Sequence, residues 1–197
     1  MKSNSNFMLS VFIITFLLGN ISCKENDPKE NEMISENESK EVITKQDVRD
    51  AQQAWGDGII NIGKLFSEGG DYKAAAEEHI SVFYNYQEGT VLFKPTLASE
   101  REFRTNFKGG LSYFIAGDEN YPEDHGFAIK PWSEVRFDNL ETKILGDIAI
   151  SMGDYYFTPT DGSELVKAEY SFVYTRDKDG KLKIILHDSH LPYNPAE

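Results

Sequence analysis

Near the C-terminus, Leu186-His187-Asp188-Ser189-His190 groups several side chains able to hold or move a proton. The surrounding run, Leu182 to His190, reads as a strand. Strict alternation puts Lys183, Ile185, His187 and Ser189 on one face and Leu182, Ile184, Leu186, Asp188 and His190 on the other. A neutral imidazole beside a hydroxyl can hold and polarise a small oxygenated substrate, and imidazole exchanges protons near neutral pH. The same pair can also be satisfied by backbone groups at a strand end, with no chemistry at all.

Two further hydroxyls stand where a fold could bring them to that pair. In Phe93-Lys94-Pro95-Thr96 the proline stops a strand, and Thr96 then either projects into an interior or caps the next helix. Tyr113, late in a helical pattern, either offers its phenol to a bound anion or packs as core. Metal ligation fits the spacing poorly. His187 and His190 point to opposite faces of a strand, and Asp188 with His190 would need a third ligand from His79 or His125. The acidic stretch from Asp118 to Asp124 lacks the regular ligand spacing of a calcium loop and reads as a solvated loop.

The elements that must position these groups follow from hydrophobic periodicity. Val48, Ala51, Trp55, Ile59, Ile62 and Phe66 recur at steps of three and four, which predicts a long helix starting near Thr44 or Asp47 and ending at Gly69-Gly70. Asp71 caps a second helix through Ala74 to His79. A short strand over Thr90 to Phe93 precedes a third helix expected from Ser99 through Tyr113, its pattern interrupted by Gly109-Gly110. From Trp132 onward the pattern changes to strands: Val135 to Ile144, Ile148 to Phe157, Leu165 to Thr175 and Leu182 to His190. The turns between them are Gly146-Asp147, Asp161-Gly162 and Asp179-Gly180. Helices first and an antiparallel meander afterwards predict an α+β fold with N-terminal helices packed on a curved antiparallel sheet. That order matches the nuclear-transport-factor-2-like cone, which hosts enzymes and pure binding modules alike.

The 197 residues are 40% hydrophobic and 13% aromatic, enough for one core. A formal charge of -13 without a basic cluster excludes a nucleic-acid backbone as partner. A charged start, the apolar run Phe7 to Leu18 and small residues before Cys23 predict a signal peptide over 1–22, too short in its apolar part to span a bilayer. The segment before Cys23 resembles the lipobox of bacterial lipoproteins, departing from it at Asn20, where leucine is usual. That resemblance implies lipid on Cys23 and a location on the bacterial cell envelope, at the outer membrane. Residues 23–44, rich in Glu, Asn, Ser and Lys, read as a disordered acidic tether, leaving 45–197 as the folded domain. Cys23 is the only cysteine, which excludes an internal disulfide and a thiolate metal cluster.

Five blocks of this sequence resemble the iota-class carbonic anhydrases. They are Val91-Leu92-Phe93-Lys94-Pro95-Thr96; Leu111-Ser112-Tyr113-Phe114; Gly126-Phe127-Ala128-Ile129-Lys130-Pro131-Trp132 with Val135-Arg136-Phe137; Ser151-Met152-Gly153-Asp154-Tyr155-Tyr156-Phe157; and Leu186-His187-Asp188-Ser189-His190-Leu191-Pro192-Tyr193. In the last block the family shows His-His-Ser-Ser before a proline; here Asp188 and His190 replace the second and fourth of these. The resemblance implies reversible hydration of carbon dioxide to bicarbonate in a cone pocket by a homodimer, with His187, Ser189, Thr96 and Tyr113 around the substrate. It implies no fixed cofactor, since family members differ in their use of zinc or manganese. Two other readings compete: a non-catalytic module of the same fold that binds a small anion or oligomerises, as the kinase association domain does, and an enzyme acting on a larger substrate.

Overall fold

The structure, a computed structural model, describes residues 42–195. The predicted signal peptide, Cys23 and nearly all of the tether lie outside the described residues. Helix α1, Lys45–Glu68, opens on a capping box: the Thr44 hydroxyl accepts from the Asp47 N–H at 3.1 Å, and the Asp47 carboxylate accepts from the Thr44 N–H at 2.9 Å. Its apolar stripe buries Val48, Trp55, Ile59 and Ile62, whereas Phe66 at the end of the stripe is exposed. Full burial of such side chains stabilises by roughly 1.5–3 kcal/mol each. Gly69 ends the helix in the left-handed region at φ 73°, where a side chain would be strained. Helix α2, Tyr72–Phe83, is capped by Asp71 and stops where Tyr84 turns extended and bridges to Ile184.

Strand β1, Leu92–Lys94, is followed by α3, Phe107–Ile115, a 3-10 turn at Phe127–Ile129, and the long strands β2, Trp132–Leu145, β3, Ile148–Pro159, β4, Val166–Arg176, and β5, Leu182–His190. They form one sheet in the order β1-β5-β4-β3-β2. The pairs from β2 to β5 are antiparallel, as expected of a meander, but β1 lies parallel to β5, so the sheet is mixed. Register shifts in β2 and between β4 and β5 supply the local bends that curve it. The helices pack on one face of it, with Trp55 of α1 against Phe114, Phe137, Tyr155, Phe172 and His187.

Two expectations need correction. The third helix begins at Phe107, capped by Asn106, and not at Ser99. The intervening loop is held in another conformation by a distant carboxylate: Glu123 accepts from the backbone N–H groups of Ser99, Glu100 and Arg101 at 2.7, 2.9 and 2.8 Å. Beneath it Arg104 is fully buried, pairs with Asp124 at 2.7 Å and Glu123 at 3.3 Å, and lies 4.4 Å from the Tyr121 ring centroid. The end of the acidic stretch, Glu123 and Asp124, is therefore a clamp, while Glu119 and Asn120 are exposed as a solvated loop would have them. Gly109 and Gly110 also sit within the helix, because a Cβ there would come 2.6 Å from the Tyr121 hydroxyl or 2.9 Å from that of Tyr86.

The second correction concerns β5. Val173 pairs with Leu186 but Tyr174 pairs with Ile184, so Ile185 is an extra residue and the alternation reverses across it. Ile184, not Ile185, is the buried residue facing the core opposite Tyr174, and Lys183 reaches the carbonyls of Ser81 and Val82 at the end of α2. Beyond the bulge His187 and Ser189 keep the predicted common face, and both are buried.

Candidate active site

Sheet register assembles the site. The parallel pairing places Phe93 beside His187, and Thr96, just beyond β1, approaches Ser189. The next strand, β4, sets Phe172 opposite His187 and Tyr170 opposite Ser189. Every second residue of β3 faces inward, bringing Tyr155 over the same pair. From the helical side, α1 contributes Trp55, the end of α2 contributes Tyr84, and α3 contributes Tyr113.

The polar atoms join in one line. Trp55 Nε1–H donates to the Tyr84 hydroxyl at 3.2 Å, and that hydroxyl is 2.9 Å from His187 Nδ1. On the other side of the ring, Nε2 is 3.4 Å from the Tyr155 hydroxyl, which makes a short contact with Ser189 Oγ. Ser189 Oγ lies 2.5 Å from Thr96 Oγ1, and the Thr96 side chain and Leu97 backbone stand beside the Tyr113 phenol. The four residues expected at the site therefore converge. Thr96 faces the interior and does not cap a helix, and Tyr113 is both core and cavity wall.

Burial sets the protonation states. Desolvation lowers the His187 pKa well below the usual imidazole value, so the ring is neutral at neutral pH. Desolvation likewise raises the phenols: Tyr84 and Tyr155 sit well above the usual value, and Tyr113 is pushed up to about 12. The neighbouring Ser189 and Thr96 hydroxyls partly offset this for Tyr155, as the Leu97 backbone and Thr96 do for Tyr113. The site is thus a set of neutral donors and acceptors. The imidazole is clamped between rings, stacked on Phe93 at 4.7 Å and edge-on to Phe172 at 4.1 Å.

A cavity of about 10 Å³, the space of about one water centre, is walled by His187, Ser189, Thr96, Tyr113 and Tyr155 with Trp55, Phe93 and Phe127. Thr96, Tyr113 and Phe127 also line a second cavity of about 490 Å³, mostly apolar, with Glu123, Asp124, His125 and Lys130 among its lining residues. A narrow chamber carrying several hydroxyls and one imidazole thus adjoins a wide apolar one. Asp188 and His190 stand apart from both: His190 is exposed and pairs with Glu169 at 3.0 Å and Asp188 at 3.6 Å. Among the described residues, no three of His, Cys, Asp and Glu gather to hold a metal ion. His79, considered as a third ligand, is buried against Trp55, Phe83 and Phe114.

Sequence reasoning missed Tyr84 and the polar roles of Trp55 and Tyr155. The signal for Tyr155 was present, since period-two alternation along β3 makes it an inward-facing hydroxyl. Trp55 was visible only as an apolar stripe residue, and Tyr84, at a helix end, has no periodic neighbour to orient it.

Residues 46–191 match the family described as metal-independent carbonic anhydrase. The chain is 42% identical over 155 residues to a metal-independent carbonic anhydrase of Nostoc sp., covering 77% of this chain and 75% of that protein. It is similar to the crystal structure of the iota-carbonic anhydrase from a cyanobacterium complexed with bicarbonate, at 40% identity and TM-score 0.75, over 78% of this chain and 94% of that one. An NTF-2 like protein of unknown function from Shewanella oneidensis matches at 13% identity and TM-score 0.46, over 74% and 97%.

Proposed function

Because the chain belongs to the metal-independent carbonic anhydrase family, we propose that it catalyses the reversible hydration of carbon dioxide to bicarbonate and a proton. The observation that carries this reading is the convergence of Thr96, Tyr113, Tyr155 and Ser189 with neutral His187 around one small cavity. Water attacking carbon dioxide builds negative charge on the substrate oxygens, and preorganised hydroxyl donors in a dry chamber stabilise that charge. The solved relative was crystallised with bicarbonate, the product such donors suit.

The proton released has no carboxylate waiting in the small cavity. It leaves by way of the adjoining wide cavity, whose lining includes Glu123, Asp124 and His125, while His187 stays neutral and orients the Tyr84 and Tyr155 hydroxyls, because burial makes an imidazolium costly. Asp188 and His190, the departures from the family pattern, face away from the chamber, which supports an intact site in this chain. Carbon dioxide hydration followed by stopped flow on chelator-treated protein tests the reading. A rate above the uncatalysed one is expected. A rate equal to it, with and without added zinc or manganese, overturns it, and retained bicarbonate binding in that case points to the binding module instead.

The proposal extends to the whole chain: a signal peptide over 1–22, lipid on Cys23, a tether over 23–44, attachment to the outer membrane and a homodimer of the 45–197 domain. Its support is the apolar run Phe7 to Leu18 ahead of Cys23. No helix among the described residues is long and apolar enough to cross a membrane. Labelled fatty acid incorporated by the parent and lost in Cys23→Ala is the expected result; incorporation in neither rejects the anchor, and sedimentation of the purified protein as a monomer rejects the homodimer.

A further inference from the structure

The polar line through the site has a donor-only group at its far end, and this removes an ambiguity that a chain of hydroxyls would otherwise have. Indole nitrogen donates and cannot accept. Trp55 Nε1–H therefore takes a lone pair of the Tyr84 oxygen, leaving Tyr84 with one proton to place. Tyr84 is 1% exposed, and its hydroxyl has His187 Nδ1 at 2.9 Å to receive that proton. If Nδ1 carried the proton instead, the Tyr84 hydroxyl would be buried with its own proton lacking an acceptor, the arrangement native interiors avoid.

We propose that Trp55 and Tyr84 are positioning residues that hold His187 as the Nε2–H tautomer and thereby give the whole hydroxyl line one direction, ending with a donor aimed at the substrate cavity. With Nδ1 occupied as an acceptor, the ring proton is on Nε2 and points to the Tyr155 oxygen. Tyr155 then donates to Ser189, and Ser189 to Thr96. Thr96 then directs its proton to the neighbouring Tyr113 oxygen, which leaves the Tyr113 proton for the cavity that Thr96 and Tyr113 line. In the reverse direction every hydroxyl would turn round, and Tyr113 would present lone pairs to an anion. The direction matters because the charge developing in the hydration of carbon dioxide sits on oxygen, which needs donors.

The tautomer stands independently of the proposed reaction; only its kinetic consequence rests on that reading. The test is the 15N spectrum of His187 in the full chain, assigned by its loss in His187→Gln, alongside carbon dioxide hydration. The parent is expected to show a pyridine-type Nδ1 and a pyrrole-type Nε2. Tyr84→Phe removes one hydroxyl without changing ring volume and should shift the Nδ1 signal from that of a hydrogen-bonded to that of an unbonded pyridine-type nitrogen. It should also lower kcat at least about tenfold, a fraction of the 100- to 1,000-fold typical of losing one preorganised donor. Trp55→Phe should move the same signals in the same direction by less. Tyr86→Phe is the control, since that hydroxyl donates to the Arg104 carbonyl and stands outside the line; its His187 spectrum should be that of the parent.

A pyrrole-type Nδ1 in the parent overturns the proposal, and so do ring signals in Tyr84→Phe identical to the parent's. Shifted ring signals with unchanged kcat overturn the positioning role. If the parent does not hydrate carbon dioxide, the proposed reaction fails, while the ring spectrum still decides the tautomer.

Discussion

Ser189 is where strand geometry and hydroxyl chemistry meet. Its Oγ contacts both Tyr155 and Thr96, so removing it strands two hydroxyls and breaks the line between His187 and Tyr113. Ser189→Ala is expected to lower kcat/KM for carbon dioxide by about 100-fold, the loss typical of one preorganised donor, with far-ultraviolet circular dichroism unchanged. The neighbouring departures from the family pattern predict the opposite. Asp188 and His190 contact each other and Glu169 on the outer face, so Asp188→His with His190→Ser should leave the rate as it is and move stability by no more than about 0.5 kcal/mol. Equal losses in the two proteins would reject this division of the strand into a working and a decorative face. His187 and Ser189 were legible from alternation because they are two residues apart on one side of the bulge. Tyr84 and Trp55 were not, because a hydrogen bond spanning 29 residues leaves no periodicity.

At the scale of elements, the sequence supports a third helix from Ser99, and local propensity has no means of seeing what prevents it. Glu123, more than 20 residues downstream, takes the three backbone donors that would open that helix, and its pKa is held well below the usual carboxylate range chiefly by those bonds from Arg101, Glu100 and Ser99. The clamp sets the path of the loop that carries Thr96 and Leu97 to Tyr113, so a carboxylate beyond the small chamber shapes the active site. A carboxylate with a depressed folded pKa contributes stability above its unfolded value, near 4.3, and loses that contribution as pH falls through the folded value. Glu123→Gln is accordingly expected to increase hydrogen exchange across Ser99 to Arg101 and raise KM more than it lowers kcat. Exchange equal to the parent's would show that the loop needs no clamp. The bulge at Ile185 was hidden for a similar reason: an extra residue is defined only by the partner strand, and Lys183-Ile184-Ile185-Leu186 has no local mark of it. The meander, its turns and the first two helices were legible because each is specified within its own segment.

For the molecule as a whole, the number of neutral histidines sealed in the core sets its response to acid. His79 is 4% exposed, finds no hydrogen-bond partner for either ring nitrogen, and has its pKa lowered to about 3 by desolvation; burial drives His187 the same way. The ring of His79 fits because residue 58 is glycine, where a Cβ would come 2.2 Å from Nδ1. The unfolded chain binds protons at these histidines near pH 6.5 and the folded chain does not, so stability is complete above that pH and declines below it. Each histidine contributes a slope of up to about 1.36 kcal/mol per pH unit, which for His79 persists down to about pH 3. Net charge works against this decline, because a chain of formal charge -13 repels itself less as it is neutralised. The parent's slope therefore mixes both effects, and a variant separates them. His79→Leu keeps the apolar contacts and removes one titrating ring, so urea unfolding between pH 6.5 and 4.5 should show a slope smaller by about 1.4 kcal/mol per unit, with the difference vanishing above pH 7. Parallel slopes would mean that His79 gains no proton on unfolding, and the acid response would then belong to His187 and the surface carboxylates.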